Sequence, residues 1–360
     1  WLGMGYSQVP GSPLAGYAAL LGSYGVTWAT AACAGAFALL LLRLPELSVR
    51  AATLPVAVLA VAIGAGAALR AIEWTIPFGA PLRVALLQGN VAQERKFSLD
   101  ALPVIFDQYR KMVERSEARL IILPETALPV FLHQVDGAYL DALADHAKAN
   151  GGDLVFGVAV ADPQARAYFN TVVSAGTSPP QVYRKHHLVP FGEYLPWRLV
   201  FDWVLDVLNM PMADFSAGLR DPPPLAVAGQ QLAVSICYED AFGTLMRGQL
   251  PAATLLVNVS NDAWFGESLA AEQHWQIAQM RSLEAGRMML RANNTGITGI
   301  IGVDGRSVGR LLPFTADTLS GVVQGRTGAT PYVRFGDWAP LLLLLAALAG
   351  VVVLSQPRVR

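Results

Sequence analysis

Three long stretches of the chain carry no charged residue, and they limit the folds that it can adopt. Residues 1–42 contain none, residues 51–69 are again uncharged, and residues 338–354 are apolar close to the carboxyl end. A helix needs about 20 apolar residues to cross the hydrocarbon core of a bilayer. We therefore expect transmembrane helices at 26–42, 51–69 and 338–354, and an interfacial loop at 1–25, where glycine, proline, serine and tyrosine are frequent.

The composition agrees with a membrane protein that also contains a polar domain. Charged residues make up 15% of the 360 residues and hydrophobic residues 53%, whereas soluble domains average about 25% charged residues. The net charge of -1 gives no indication of a basic surface for nucleic acid. Cys33 lies in an apolar segment and Cys237 in the polar middle of the chain, so a disulfide framework is excluded.

Arginines mark one side of the predicted helices. Arg43 and Arg50 stand between the first two helices, and Arg358 and Arg360 follow the third. Basic residues beside a transmembrane helix stay in the cytoplasm, so the region between the second and third helices is expected on the opposite side. The predicted parts are a membrane region at 1–73, an extracytoplasmic domain at 74–337, and a helix with a short cytoplasmic tail at 338–360.

The region between the helices alternates strand-like and helix-like segments, which is typical of a layered α/β domain. Apolar runs predict buried strands at 83–91, 119–123, 154–160, 231–236 and 254–259. Residues 169–175 and 181–184 are expected to pair, and residues 296–305 to begin a hairpin. Helical spacing predicts one helix capped by Ser98, a second around residues 139–147, and a long one at 270–291.

Three strand-like runs end in side chains that acyl-transfer chemistry uses. The run LIILP leads into Glu125, VYR into Lys185, and LAVSI into Cys237. A thiol nucleophile needs a proton acceptor and a positive site for the oxyanion, and a helix N-terminus after the cysteine would stabilise a thiolate. Each residue alone is as easily structural, as a buried thiol, a capping carboxylate or a solvated lysine. Their common placement at strand ends favours catalysis, with no metal and no cofactor expected.

The order glutamate, lysine, cysteine resembles the nitrilase, or carbon–nitrogen hydrolase, superfamily over roughly residues 82–330. The resemblance implies a nitrilase-like α-β-β-α sandwich, here with flanking transmembrane helices. It implies that Glu125 is the general base and then acid, that Lys185 stabilises the oxyanion, and that Cys237 is the nucleophile.

Longer motifs narrow the resemblance to the bacterial apolipoprotein N-acyltransferases. These motifs are KHHLVPFGEYLP (185–196), CYED (237–240), NVSNDAWFG (258–266), HWQIAQMRSLEAGR (274–287) and RANNTG (291–296). That family has a periplasmic nitrilase-like domain and a multi-pass anchor in the inner membrane. It moves an acyl chain from a phospholipid, through a cysteine thioester, to the N-terminal amine of a diacylated apolipoprotein. The resemblance places supporting glutamates at Glu193 and Glu239, and implies that further transmembrane helices precede the position of Trp1.

Residues 195–215 are too apolar for an ordinary exposed loop. We hypothesise that this segment, called the apolar arm below, dips into the membrane through residues such as Trp203 and admits acyl chains to the thiol; a helix packed on the core is an equal alternative. Tyr238, Trp264 and Phe265 are further candidates for substrate contact, although core packing explains the last two equally well. A membrane-tethered amidase for small amides, or an inactive module that binds lipid or a partner, remain alternative functions.

Overall fold

The computed structural model describes residues 3–42, 48–194 and 215–355. The α-helices of these residues are α1 (Ala18–Leu42), α2 (Val49–Arg70), α3 (Gln93–Lys96), α4 (Leu102–Glu114), α5 (Gly137–Ala149), α6 (Gly243–Gly248), α7 (Ala270–Ala285), α8 (Pro331–Phe335) and α9 (Trp338–Ser355). The first strands are β1 (Ile76–Gln88), β2 (Leu120–Ile122), β3 (Leu128–Phe131), β4 (Asp153–Asp162), β5 (Ala167–Gly176) and β6 (Val182–Arg184). The later strands are β7 (Leu225–Val227), β8 (Gln230–Ile236), β9 (Leu255–Ser260), β10 (Met289–Asn293), β11 (Gly299–Ile301), β12 (Ser307–Arg310) and β13 (Asp317–Thr327).

The strands form two sheets of mixed direction. The first has the order β13-β1-β2-β4-β5-β6, with β3 beside β4, and the second has the order β12-β11-β10-β9-β8-β7. In each sheet the central strands are parallel, β1, β2 and β4 in the first and β8, β9 and β10 in the second. Parallel neighbours bring the carboxyl ends of their strands to one edge, which is where ligands bind in such sheets.

The sheets pack face to face, and helices cover their outer faces. The shared core between the sheets contains Leu86 and Ile122 from the first sheet and Val234 and Val257 from the second. Helices α4 and α5 pack on the outside of the first sheet, because α4 presents a buried apolar stripe with helical spacing, and α6 and α7 cover the second. The predicted α-β-β-α sandwich is confirmed.

Within the described residues, two helices are long and apolar enough to cross a membrane, Pro13–Leu42 with its leading turn and Val49–Arg70. The predicted span 26–42 lies inside α1, which begins at Ala18, and its limits in a membrane remain a prediction. Within the segment expected as a loop, the structure has two 3-10 helices, Met4–Gln8 and Pro13–Tyr17. The third predicted span, on α9, is an apolar helix of 18 residues, and its insertion in a membrane remains a prediction.

The first membrane-length helix is bent where it meets the α/β domain. Gly22 has φ 66° and ψ −170° inside α1, and the following N–H, of Ser23, donates to Glu284 of α7 at 2.7 Å. Residues from both sides, including Val26 of α1 and Met280 of α7, form one apolar cluster. The helix bend is therefore capped by a carboxylate from the domain below it.

Two predictions about local structure were wrong. Ser98 does not cap α4, because the N-cap residue of this helix is Ala101. The Ser98 hydroxyl donates to Asp100 instead. The long helix predicted at 270–291 ends at Ala285, because Gly286 takes a left-handed conformation with φ 60°. Residues Met289–Asn293 form a central strand of the second sheet.

Candidate active site

The predicted triad residues lie at the carboxyl ends of strands from the two packed sheets. Glu125 follows β2 and Lys185 follows β6 in the first sheet, while Cys237 directly follows β8 in the second. The Lys185 Nζ lies 3.6 Å from Glu125 Oε1. Charges on both residues act on the Cys237 thiol, so the structure brings the three side chains together.

Cys237 sits on a turn with a strained backbone. Its φ is 52°, a left-handed value that residues with a Cβ rarely adopt and that often marks functional sites. A 3-10 helix begins at the cysteine and runs Cys237–Ala241. Burial, and then Glu125, raise the pKa of the thiol, while Lys185 opposes them. The stabilisation of a thiolate that we expected from the N-terminus of this helix does not outweigh burial and Glu125. The thiol is therefore protonated before the reaction and needs a base.

Lys185 is buried between two carboxylates. Its side chain is 1% exposed, and its Nζ lies 2.8 Å from Glu193 Oε1 as well as 3.6 Å from Glu125 Oε1. Burial disfavours the ammonium, but Glu125 and Glu193 outweigh it and raise the pKa of Lys185. Lys185 is therefore a permanent cation at physiological pH, in a position to face developing negative charge.

Glu125 is held by an amide and by its own backbone. Asn170 Nδ2 donates to Glu125 Oε1 at 2.7 Å and to Glu193 Oε1 at 2.9 Å, joining the two carboxylates. The buried Lys96 donates to the Glu125 main-chain carbonyl at 3.2 Å. These contacts fix the carboxylate, and among the described residues none donates a hydrogen bond to its Oε2. The sequence pattern gave no signal for Asn170 or Lys96.

Glu239, two residues after the cysteine, joins the strand ends of the two sheets. It is fully buried and accepts four hydrogen bonds. The donors are the Tyr183 hydroxyl at 2.7 Å and the N–H groups of Ile236 at 2.8 Å, His186 at 2.8 Å and His187 at 3.0 Å. Burial raises the pKa of Glu239, against the lowering effect of Lys185. Only Glu193 of the two predicted supporting glutamates contacts the Lys185 ammonium directly; Glu239 acts on the backbone.

A charged cluster that the sequence did not indicate lies beneath the cysteine turn. His274 places one ring nitrogen 2.9 Å from Asp262 and the other 2.9 Å from Asp240, and Arg291 contacts the same two aspartates at 3.3 and 2.9 Å. Burial and Arg291 oppose the imidazolium, but the aspartates prevail and raise the pKa of His274 to about 9. Two cations and two carboxylates therefore balance each other under Cys237.

This cluster reaches the cysteine through its carbonyl oxygen. Asn258 Nδ2 lies 3.2 Å and His274 Nε2 lies 3.3 Å from the Cys237 oxygen. Asn258 also accepts from Arg291 at 2.6 Å. Side chains from β9, β10 and α7 thus hold the strained turn at Cys237 in position.

The predicted substrate-contact residues fall into different environments. Trp264 is 69% and Phe265 48% exposed, which rules out core packing for both. Tyr238 is half-buried and its ring packs edge-on to Phe242 at 5.0 Å. Trp203 lies outside the described residues, as does the apolar arm apart from its last residue, Phe215.

The described residues on either side of the apolar arm lie at the site. Phe215 N–H donates to the Glu193 carbonyl at 2.9 Å, and the Phe191 N–H donates to the Tyr194 carbonyl at 2.8 Å. The arm therefore leaves and rejoins the fold next to the glutamate that holds Lys185. Across residues 3–42, 48–194 and 215–355, no group of three or more His, Cys, Asp or Glu side chains is arranged to hold a metal ion.

Comparison with known proteins agrees with this architecture. The family model described as carbon–nitrogen hydrolase matches residues 83–332. Among solved structures, a CN-hydrolase superfamily protein from Xanthomonas campestris superimposes with a TM-score of 0.52 at 16% identity, covering 73% of this chain and 97% of the other. The NitFhit protein of C. elegans gives the same TM-score and identity over 74% of this chain and 65% of the other. At that identity the likeness concerns the fold alone.

Curated relatives are much more similar in sequence. The chain is 47% identical to the apolipoprotein N-acyltransferase of Nitrosomonas europaea over 359 residues, which are 99% of this chain and 69% of the relative. It is 44% identical to the enzyme of the same name from Methylococcus capsulatus, over 98% of this chain and 68% of the relative. The similarity extends through the membrane-length helices as well as the sandwich.

Proposed function

Because the chain belongs to the apolipoprotein N-acyltransferases within the carbon–nitrogen hydrolase family, we propose that it transfers an acyl chain from a phospholipid to the N-terminal amine of a diacylated apolipoprotein. One observation carries the proposal. A cysteine on a strained turn of one sheet faces a buried lysine and carboxylate of the other, in a chain with helices of membrane length. A soluble amidase does not require helices of membrane length.

In the first half-reaction Cys237 is the nucleophile and Glu125 the general base. Glu125 takes the proton of the thiol, whose raised pKa keeps it protonated until then. The sulfur attacks the ester carbonyl of the phospholipid, and Lys185 stabilises the tetrahedral oxyanion. As the intermediate collapses, the ester C–O bond breaks, Glu125 protonates the leaving oxygen, and a lysophospholipid departs from the thioester.

In the second half-reaction the N-terminal amine of the apolipoprotein attacks the thioester. A C–N bond forms, the C–S bond breaks, and Glu125 carries a proton from the amine to the sulfur. This restores the thiol and leaves an amide. Glu193 and Glu239 support the step without taking part in it, the first through the Lys185 ammonium and the second through the backbone on both sides of the site.

We place the catalytic sandwich outside the cytoplasm, on the periplasmic face of a bacterial inner membrane. The supporting observation is the excess of arginine between the first two helices and in the tail. In this arrangement residues 1–73 and 338–360 are membrane segments and residues 74–337 the catalytic domain. The apolar arm, whose ends lie next to Glu193, would then meet the outer leaflet and present acyl chains to Cys237, with Trp203, Tyr238, Trp264 and Phe265 as contacts.

The proposal is tested by intact-mass analysis of the chain with its natural membrane segments, purified in detergent and incubated with phosphatidylethanolamine. We expect a mass gain of one acyl chain that hydroxylamine removes and that a Cys237→Ala variant lacks. Adding a diacylated peptide with a free amine should discharge the adduct and acylate the peptide. If no adduct forms while a small amide is hydrolysed at a Cys237-dependent rate, the protein is an amidase and the proposal is wrong.

A further inference from the structure

A second lysine is buried at the site, and the mechanism above makes no use of it. Lys96 ends α3 and is 3% exposed. An ammonium has three donors; within the described part of the chain, that of Lys96 makes one hydrogen bond, to the Glu125 carbonyl at 3.2 Å, and has no carboxylate within 4.0 Å. A buried cation with unused donors is costly, so a structural role alone is a poor explanation for it.

The charges around Glu125 give Lys96 a purpose. Lys185 already serves two carboxylates, those of Glu125 and Glu193, which share the amide of Asn170. Glu239, a third buried carboxylate, also acts on Lys185, so one cation faces three carboxylates. Ionisation of Cys237 would add a further negative charge. Lys96 supplies a second cation, bound to the Glu125 carbonyl.

The surroundings of Lys96 support this assignment. The titratable groups that act on it are Glu125, which favours its charged form, and Cys237, which does so as a thiolate. Burial is the larger effect and lowers the pKa of Lys96 to about 8, so the ammonium prevails at neutral pH and is lost in mild alkali.

We propose that Lys96 is a positioning residue that supplies the second cation of the site, holding Glu125 by its carbonyl and stabilising the thiolate of Cys237. This rests on the proposed function, in which Glu125 activates Cys237. Lys96 itself neither gains nor loses a proton in the acyl transfer, so removing it should change the pH dependence of thiol activation rather than the chemistry.

The test is the rate of iodoacetamide alkylation of Cys237 between pH 5 and 9, followed by peptide mass spectrometry on the full chain in detergent so that Cys33 is scored separately. Lys96→Met should move the acid limb of the profile to higher pH by about one unit or more. The reason is that the loss of a nearby positive charge raises the pKa of an acidic group by about that amount. At pH 6 this is roughly a tenfold slower rate. Lys96→Arg, which keeps the charge, should restore the wild-type limb.

Two further variants make the result decisive. Arg95→Met removes an exposed cation from the same helical turn and should follow the wild type. Lys96→Gln keeps a donor for the Glu125 carbonyl but not the charge; it should behave as Lys96→Met and replaces it if that variant does not fold. A folded Lys96→Gln with the wild-type profile overturns the proposal. Alkylation needs no phospholipid, so its outcome is separate from that of the acyl-transfer assay. If the enzyme forms no acyl adduct but the acid limb still shifts, the proposed function is refuted and the role of Lys96 is retained.

Discussion

Replacing Glu239 by glutamine should weaken the connection between the two sheets at the site. The buried carboxylate accepts four hydrogen bonds of 2.7 to 3.0 Å, two on each oxygen. Glutamine has the same size but puts an NH₂ group where one oxygen was, so at least one backbone donor then faces another donor. Hydrogen bonds to charged groups contribute about 1.5–3 kcal/mol each. After allowing for the relief of no longer burying a charge, we expect the free energy of unfolding to fall by about 3 kcal/mol.

The activity should fall further than the stability. The donors on one Glu239 oxygen directly follow Lys185, and one donor on the other directly precedes Cys237. A shift of about 1 Å between such groups typically costs about 100-fold in rate. Thermal unfolding of the full chain in detergent measures the first effect, and the rate of acyl-adduct formation on Cys237 measures the second.

A surface glutamate provides the matched control. Glu272 pairs with Arg310 at 3.1 Å, and its side chain is 54% exposed, so Glu272→Gln should change neither measurement appreciably. The reasoning fails if Glu239→Gln unfolds at the same temperature as Glu272→Gln and forms the adduct at a rate within threefold of wild type.

Three other perturbations have defined outcomes. Because the pKa of His274 is raised from 6.5 to about 9, its contribution to stability is complete below pH 6.5 and is lost as the pH rises through 9; His274→Gln should flatten the fall in melting temperature over that interval, and an unchanged slope would contradict this. Gly157→Ala would put a methyl carbon 2.6 Å from the Pro124 carbonyl oxygen and displace Glu125, so adduct formation should fall at least tenfold while the yield of protein extracted from membranes is unchanged; a normal rate would show that the turn adjusts to the methyl group. Charging the apolar arm with Trp203→Glu and Leu205→Glu should abolish turnover on phospholipid vesicles but spare alkylation of the thiol, and unchanged turnover would refute a lipid-facing arm.

The ends of the central strands were predictable because their signal is local. An apolar run that stops at a single charged or nucleophilic side chain identifies both the strand and the position of that side chain at the sheet edge. Glu125 and Cys237 follow this pattern, whereas Lys185 comes directly after the short edge strand β6, which ends in Arg184. Their roles in the reaction remain proposals.

The partners of those residues were not predictable because tertiary packing alone determines them. Asn170 points at Glu125 from the middle of an antiparallel strand, and Lys96 comes from a four-residue helix too short to show any periodicity. His274 and Glu284 lie on a helix that is buried almost all around, so no polar face distinguishes residues that bind charges from residues that meet solvent.

The predicted helix at 270–291 was wrong for a related reason. The segment after Gly286 has good helix formers, and only its parallel pairing with β9, from Met289 beside Leu256 onward, makes it a strand. Propensity is a weak prior that such pairing overrides. Gly286, which ends the helix in a left-handed conformation, was the available signal for this boundary.

The bend in α1 bears on how this enzyme can be produced and studied. The Ser23 N–H, next to the bend at Gly22, donates to Glu284, and Val26 shares an apolar cluster with Met280 and Leu283. A truncated protein that starts after residue 73 would strip the cover from that cluster and leave Glu284 without its backbone donor. We therefore expect a protein without the two N-terminal helices to aggregate. Because these helices cover an apolar cluster of the catalytic domain and satisfy Glu284, they are part of the folded structure of that domain.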